Sequence, residues 1–288
     1  MSARVSCVYC KKVFKISTEH SCRKKRAREE PPLTTTITFS ECVENHAGMM
    51  KHGICAPEGL SKDHLKKIQQ SVNGSCVTEL VDLDVDGKGN ASILILRALF
   101  SSLSPSVIVE QSTLERDFRV FMRGSVKDKV ARSNLCFSDH AQSADYEAKQ
   151  GTVYSFADLP ELSKVRFVVN NLMRIAIGEN KEAASFLPLK AEGNYYNGEQ
   201  YIGYHGDSER RFVVGCRFGA TMPLCFRWFM RNKTVGPEQR ILLNDGDVYI
   251  MSDKATGHDW KCSSRLTLRH CAGHSERDMR VKAKQLGA

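Results

Sequence analysis

Short segments of alternating β-branched, aromatic and polar residues, separated by turn residues, fill the second half of this 288-residue chain. Such alternation predicts strands with one buried face, and strands this short can bury a core only when sheets pack together. After Gly198 the predicted strands are Tyr201 to His205, Phe212 to Phe218, Leu224 to Phe229, Arg240 to Leu243, Val248 to Met251 and Arg265 to His270.

Two helices are predicted beside these strands. Asp158-Leu159-Pro160-Glu161 is a capping start for a helix that ends at Gly178, and Ser61 to Gln70 predicts a shorter helix with Leu65 and Ile68 on its buried face. Many short strands and few helices predict a mainly β (α+β) domain. The arrangement that fits is a double-stranded β-helix, a jelly-roll or cupin-like barrel whose open mouth can hold a metal.

A metal site is predicted from the tripeptide His205-Gly206-Asp207. Residues i and i+2 of a strand point to the same side, so His205 and Asp207 can bind one ion. Two histidines and a carboxylate on one face of Fe(II) leave three positions open for a chelating co-substrate and O₂. We predict His258 as the third ligand. The alternatives are His270 and His274.

The amino-terminal residues 1–30 differ from the rest in composition. Two pairs of ligand-type residues predict a small zinc knuckle, the alternative being a disordered tail that happens to contain cysteines. These four residues are Cys7, Cys10, His20 and Cys22. The basic run Arg23 to Arg28 follows, and we interpret it either as a nuclear-import or phosphate-contacting segment or as a solvated linker.

A second group of metal-ligand types has spacing that matches no site we can define, so local packing is the stronger interpretation and a second zinc the weaker one. It consists of Cys42, His46, His52 and Cys55. The start of the chain lacks the apolar core of a signal peptide, which predicts an intracellular protein and, with the basic run, favours the nucleus over the cytoplasm. The 11 cysteines are then expected to be mostly reduced.

The formal charge of +9 predicts a polyanionic partner such as DNA or RNA. No apolar run reaches membrane-spanning length, so we expect no membrane partner. We expect a monomer.

Asn194 and Tyr196 stand in an Asn-x-Tyr pattern, with the asparagine eleven positions before His205. With the metal motif, this pattern resembles the nucleic-acid demethylase branch of the AlkB family of Fe(II)- and 2-oxoglutarate-dependent dioxygenases. The resemblance covers roughly residues 90 to 272. It implies that Asn194 and Tyr196 hydrogen-bond 2-oxoglutarate, and that Arg269, eleven positions after His258, binds its far carboxylate.

The family's closing strand reads Arg-x-Asn-x-Thr-x-Arg. In this chain Ser263 stands in place of the first arginine and Arg265 in place of the asparagine. Arg265 therefore shares the co-substrate role with Arg269 in our prediction. The resemblance also implies a nucleobase lid that includes Arg132, a stacking ring at Phe156 and an acid, Glu209, that reads an exocyclic amine. The alternatives are a core aromatic at Phe156 and a solvated acid at Glu209.

The implied activity is oxidative demethylation of nucleobases in DNA or RNA, with Fe(II), 2-oxoglutarate and O₂ and one structural zinc. Alternatives are a 2-oxoglutarate-dependent hydroxylase of a protein side chain or lipid, or an inactive zinc-knuckle protein that binds nucleic acid. The predicted boundaries are 1–30 for the knuckle and basic segment, 31–90 for a linker and helical extension, 91–275 for the dioxygenase domain and 276–288 for a basic tail.

Overall fold

The computed structural model describes residues 33–198 and 200–273, together with the short segments 4–6 and 13–15. The chain divides into two units, Met1–Pro31 and Pro32–Ala288. In the first unit, β1 (Arg4–Ser6) and β2 (Val13–Lys15) pair antiparallel. The predicted zinc ligands, the basic run, His274 and the predicted basic tail lie outside the described residues.

The second unit is mainly β. Its strands are β3 (Leu33–Ser40), β4 (Cys42–Glu44), β5 (Lys51–Gly53), β6 (Thr78–Asp82), β7 (Ser92–Leu96), β8 (Arg119–Met122), β9 (Ser125–Asp128), β10 (Ser133–Ser138), β11 (Val153–Ser155), β12 (Lys190–Asn197), β13 (Tyr201–His205), β14 (Val214–Gly219), β15 (Met222–Met230), β16 (Lys233–Leu243), β17 (Val248–Met251) and β18 (Thr267–Gly273). Its helices are α1 (Lys62–Ser71), α2 (Ser104–Ser112), α3 (Pro160–Ile177), α4 (Lys181–Ala184) and α5 (Asp253–Thr256).

Two sheets dominate the described part of this unit. The larger has eight strands in the order β11-β10-β12-β3-β14-β17-β7-β6, and the smaller has four in the order β13-β18-β15-β16. Two short antiparallel pairs of this unit are formed by β4-β5 and β8-β9. All six strands predicted after Gly198 are present, with ends that differ by a few residues.

Each face of the larger sheet packs against a different partner. One face carries Ile37, Phe137 and Val214 and joins a core with buried side chains of α1, α2 and α3. The other face carries Ile95 and Met251 and joins a second core with side chains of β15 and β18 in the smaller sheet. The order of layers is therefore helices, eight-stranded sheet, four-stranded sheet.

The two predicted helices are confirmed. Ser61 caps α1 by accepting a hydrogen bond from the backbone N–H of His64, and Leu65 and Ile68 are fully buried. Helix α3 starts at Pro160 and ends at Gly178, whose φ of 57° is one that glycine adopts without strain.

The segment 31–90 is not the linker and helical extension predicted from the sequence. Residues Leu33–Ser40 form β3 between β12 and β14, paired antiparallel with both. The threonine-rich stretch Thr34-Thr35-Thr36 lies in this strand, and its side chains are buried because other layers pack on both faces of the sheet. The folded unit therefore begins near residue 32 and not near residue 91.

No helix in the part of the chain that the structure describes is both long enough and apolar enough to cross a membrane.

Candidate metal centre and its two cavities

His205, Asp207 and His270 bring their ligand atoms together at the edge between the two sheets. These atoms all lie within 4.8 Å of one another. His205 Nε2 is 3.6 Å and His270 Nε2 is 3.8 Å from Asp207 Oδ1. Among the described residues this is the one group of three or more such side chains close enough to hold an ion. Two imidazoles and one carboxylate fit the facial triad of a non-haem Fe(II) site.

The backbone around the first two ligands is fixed by glycine. A Cβ on Gly206 would lie 2.1 Å from the carbonyl oxygen of Gly257, so only glycine lets the two loops touch here. The Asp207 backbone N–H also donates to the Thr256 carbonyl at 2.9 Å. His205 Nδ1 lies 2.8 Å from the Gly203 carbonyl, which fixes the proton on Nδ1 and leaves Nε2 free to bind metal.

The third residue of the group is His270, and the prediction of His258 is wrong for this structure. His270 lies on β18 directly opposite His205 on β13. Burial and the neighbouring His205 hold the pKa of His270 well below its ordinary value, so it is the neutral imidazole that a metal needs. His258 lies in the turn after α5, outside the group. The spacing of residues in the sequence could not show which histidine joins His205, because that depends on the pairing of β13 with β18, whereas His258 lies in a turn.

Arg269 and Arg265 do not reach the metal centre. Neighbours on a strand face opposite sides, so His270 and Arg269 diverge. Arg269 instead donates to Asn232 at 2.8 Å and to the Trp260 carbonyl at 3.3 Å, with its guanidinium 4.3 Å from the Phe229 ring centroid. Arg265 is exposed and precedes β18. The co-substrate role predicted for these two arginines is therefore not supported.

A small cavity of about 60 Å³, which we call the inner cavity, lies between the sheets behind the metal centre. It contains the predicted co-substrate residues Asn194 and Tyr196, which share one face of β12. Tyr249 lines it as well, and this ring packs where a Cβ on Gly215 would be 2.0 Å away. Part of the wall comes from Thr36 of β3, whose Oγ1 is buried with no hydrogen-bond partner.

Three arginines line the inner cavity, Arg132, Arg210 and Arg217, and Arg217 differs from the other two because it has no anion beside it. Sequence reasoning did not single it out. Its side chain is 1% exposed, and its Nε and Nη1 have no hydrogen-bond partner. It forms no ion pair with any described residue, and burial lowers its pKa below the ordinary value. A guanidinium stays protonated at neutral pH, so this is a buried charge that lacks an anion. The signal available in the sequence was an arginine between the apolar residues Cys216 and Phe218 of a predicted strand.

A wider cavity of about 440 Å³, which we call the outer cavity, adjoins the inner cavity and is lined by His205 and Asp207 as well. Its charges are mostly paired with one another. Arg210 lies 2.7 Å from Glu192 and 2.6 Å from Glu209, and Arg132 lies 3.1 Å from Glu192. Although burial alone would raise it, Arg210 and Arg132 hold the pKa of Glu192 below its ordinary value. Arg210 Nε also lies 3.9 Å from Asp207 Oδ2, which links this network to the metal centre.

Of the three residues predicted to contact a nucleobase, two line the outer cavity and one does not. Arg132 and Glu209 both line the outer cavity, although Glu209 is already paired with Arg210 and is not free to read a base. Phe156 is a core side chain, 4% exposed, with Phe39 at 6.4 Å and the Arg166 guanidinium 4.0 Å from its ring centroid. It cannot stack on a substrate, because protein covers its ring.

Glu44 is a second functional candidate that the sequence did not reveal. It lines the outer cavity, is 9% exposed, and its Oε2 has no hydrogen-bond partner. Burial, with the nearby Glu209 charge, raises the pKa of Glu44 to about 7. A buried carboxyl without a donor is ready to accept one from a bound molecule.

The second group of ligand-type residues forms no metal site in the structure. Cys42 is buried, the Cys55 thiol contacts the Ala56 carbonyl, and His52 packs 5.5 Å from the His140 ring. None of them belongs to the metal-binding group found among the described residues. The interpretation as local packing stays a prediction, and the contacts of these side chains are consistent with it.

No known family model matches this chain. The chain is 38% identical over 252 residues to the protein named "Uncharacterized protein R156" of Acanthamoeba polyphaga mimivirus, covering 83% of this chain and 95% of the viral protein. At this identity and coverage, the chain belongs to the same family as the viral protein. That relative's name states no activity, so the function has to be argued from the site.

Proposed function

We propose that this protein is an Fe(II)- and 2-oxoglutarate-dependent dioxygenase that oxidatively demethylates nucleobases in DNA or RNA. The observation that carries the proposal is the His205, Asp207 and His270 group placed at the entrance to a cavity that holds the unpaired cation of Arg217. An iron centre next to a buried anion-binding arginine fits a co-substrate that carries a carboxylate at its far end.

The residues present fit the iron. Imidazole and carboxylate ligands suit Fe(II), and the three side chains already stand at the separations given above. Bound there, Fe(II) would supply O₂ activation coupled to oxidation of 2-oxoglutarate. Among the described residues no fourth histidine, cysteine or acidic side chain joins this group. Coordination positions would therefore remain for the co-substrate and O₂.

The inner cavity would orient the co-substrate. Arg217 pairs with the distal carboxylate, and the hydroxyl groups of Thr36 and Tyr249 line the same space. The low polarity of the surroundings strengthens such a pair, because water does not compete for the guanidinium. In this assignment Arg217 of β14 replaces Arg269 of β18 as the carboxylate-binding residue.

We also propose that the two sheets form a double-stranded β-helix. Its halves would be β12-β3-β14-β17 from the centre of the larger sheet and β13-β18-β15-β16. The strand β3 precedes the other seven in sequence, so an amino-terminal segment completes the barrel. This supports the proposal because β3 contributes Thr36 and Thr38 to the inner cavity.

The outer cavity would receive the methylated base. It is larger than the inner cavity, shares His205 and Asp207 with it, and offers the unpartnered Glu44 carboxyl to an N–H group of the base. The +9 charge supports a nucleic-acid substrate because phosphate contacts supply most non-specific affinity. With the basic run, it also supports our proposal of a nuclear location and of a zinc knuckle that assists binding.

The test is an anaerobic titration with Fe(II) and 2-oxoglutarate, followed by exposure to air with methylated oligonucleotides. We expect succinate, formaldehyde and an oligonucleotide lighter by one methyl group in mass spectrometry. Asp207→Ala is the matched inactive control. Succinate formation with no change in any methylated oligonucleotide would remove the nucleic-acid substrate from the proposal, and absence of succinate would remove the dioxygenase.

A further inference from the structure

The strands β8 and β9 form a ribbon that pairs with neither large sheet. Its turn is made by Arg123 and Gly124, with φ of 53° and 80°. Positive φ at both central residues is the two-residue hairpin turn that matches the twist of the strands. We call residues 118–130 the ribbon, and its tip is therefore a well-defined tight turn that presents Arg123.

The ribbon exposes apolar side chains that a free surface does not need. Phe118 is 61%, Met122 is 37% and Val130 is 90% exposed. These are three of the eleven large apolar side chains exposed in the described part of the chain, in a segment of thirteen residues. Such a concentration on one protruding element indicates an interaction surface.

Cations accompany these side chains. Arg119, Arg123 and Lys127 are exposed and form no ion pair with another described residue, although Asp128 is the strand partner of Arg119. The Arg119 guanidinium lies 5.1 Å from the Tyr146 ring centroid. The exposed ring of Phe118 and these unpaired cations belong to one hairpin, and this combination suits a polyanion that carries flat rings of its own.

The chain leads from the ribbon directly to the outer cavity. Lys129 donates to Asn134 on β10, and Arg132 follows at the wall of both cavities. The ribbon therefore ends two residues before Arg132, so a ligand bound along it can continue toward the outer cavity.

We propose that the ribbon is an arm that binds single-stranded nucleic acid and delivers it to the outer cavity. The proposal rests on the proposed nucleic-acid substrate. Arg119, Arg123 and Lys127 contact phosphates, and Phe118 stacks on an unpaired base. A single strand is favoured over a duplex because the bases of a duplex are already stacked on each other and offer no face to Phe118.

The test uses the full-length protein and fluorescence anisotropy with a labelled single-stranded oligonucleotide, over a range of salt concentrations. The triple variant Arg119→Glu, Arg123→Glu and Lys127→Glu should weaken binding by at least about tenfold. Because each lost phosphate contact on a single strand removes about 0.7 from the slope of log affinity against log salt, the slope should fall by about 2. Thermal unfolding should be unchanged, since all three side chains are exposed.

The matched control reverses three exposed cations elsewhere. Arg231, with φ of 51°, also occupies a hairpin turn, and Lys233 and Lys88 are exposed like the ribbon cations. The variant Lys88→Glu, Arg231→Glu and Lys233→Glu changes net charge equally and should alter binding by less than about threefold. Equal losses in the two triple variants would show a response to total charge and would overturn the arm.

Phe118→Ala separates stacking from charge. It should weaken single-strand binding by about tenfold, with little effect on a duplex of the same sequence. A larger loss on the duplex, or poly-L-glutamate competing as well as the oligonucleotide, would overturn the single-stranded assignment in favour of a duplex or an acidic protein.

Failure of the arm is distinguishable from failure of the proposed function. Consumption of 2-oxoglutarate in the absence of a substrate should be unchanged in every ribbon variant, since the ribbon does not line the inner cavity. If the triple ribbon variant demethylates oligonucleotides with an unaltered KM, the proposal that the ribbon is a binding arm is wrong and the proposed function stands. A wild-type protein that binds no oligonucleotide at low salt would overturn both.

Discussion

The inner and outer cavities share His205, Asp207 and the ion pairs that join Arg132, Glu192 and Arg210, but they differ in the buried charged or titratable group that has no partner. In the inner cavity the cation Arg217 is buried without an anion. In the outer cavity the carboxyl of Glu44 is buried, and its Oε2 has no hydrogen-bond partner.

Buried unpaired polar groups are costly, so each of these two groups implies a ligand that completes it. The guanidinium of Arg217 would be neutralised by a carboxylate, and the carboxyl of Glu44 would accept a hydrogen bond from an N–H donor. Under the proposed function, the co-substrate occupies the cavity of Arg217 and the substrate occupies the cavity of Glu44. The variants below test that division.

The largest expected effect is at the metal centre, which both cavities share. His270→Ala should reduce 2-oxoglutarate turnover and Fe(II) binding to background, because only three protein groups hold the ion. His258→Ala is the matched control and should keep activity within a few-fold of wild type. Iron content and succinate formation measure both variants. If His258→Ala is the inactive one, the ligand assignment from the structure is wrong.

The next effect tests the inner cavity. Removing one partner of a desolvated charged pair costs on the order of 2 to 5 kcal/mol, so Arg217→Ala should raise the 2-oxoglutarate concentration needed for half-maximal turnover by more than tenfold. Arg269→Ala, whose side chain faces Phe229 and Trp260, should raise it far less. Succinate formation against 2-oxoglutarate concentration gives both values. A reversed order would return the carboxylate-binding role to β18.

A smaller effect concerns Glu44 in the outer cavity. Its pKa is raised from 4.5 unfolded to about 7 folded, so the stability that its neutral form retains below pH 4.5 is lost as pH rises toward 7. This shift corresponds to roughly 3 kcal/mol. Glu44→Gln should remove this loss, so the variant should become more stable than wild type by up to that amount at pH 8 and not at pH 4.5. Urea unfolding at both pH values is the measurement, with the exposed Glu147→Gln as control. An identical pH dependence of Glu44→Gln and wild type would contradict the assignment.

The smallest effect on either cavity is expected from the amino-terminal unit. Purified protein should carry one zinc, and the double variant Cys7→Ser and Cys10→Ser should lose it. Substrate-independent 2-oxoglutarate turnover should remain, since all residues of the inner cavity lie in the second unit. Metal analysis and succinate formation check the two statements. Wild-type protein with no zinc above background would end the zinc-knuckle prediction.

Local signals in the sequence predicted much of this molecule. The strands after Gly198, the capped start of α1 and the end of α3 at Gly178 follow from alternation, capping residues and glycine. His205 and Asp207 were predictable because their spacing in a strand is itself a local property. Asn194 and Tyr196 were assigned to 2-oxoglutarate by the family resemblance, and in the structure both line the inner cavity.

The errors share a physical cause, which is contact between residues distant in sequence. His270 meets His205 because β18 pairs with β13, and Arg217 enters the inner cavity because β14 pairs with β3 and β17. Strand pairing carries no signal in a single sequence when the partners are far apart. Phe156 was misplaced for the same reason, because Phe39 and Arg166 cover its ring.

By itself, the sequence determined the mainly β character, the boundaries of α1 and α3 to within a residue or two, and the pairing of His205 with Asp207, since each depends on residues close together in the chain. Only the tertiary structure decided that Leu33–Ser40 is a central strand, that His270 and not His258 joins His205 and Asp207 in the candidate metal group, and that the buried Arg217 has no ion-pair partner among the described residues. These outcomes depend on which strands become neighbours and which face of each strand the second sheet covers. Hydrogen bonding and burial across the whole fold decide that.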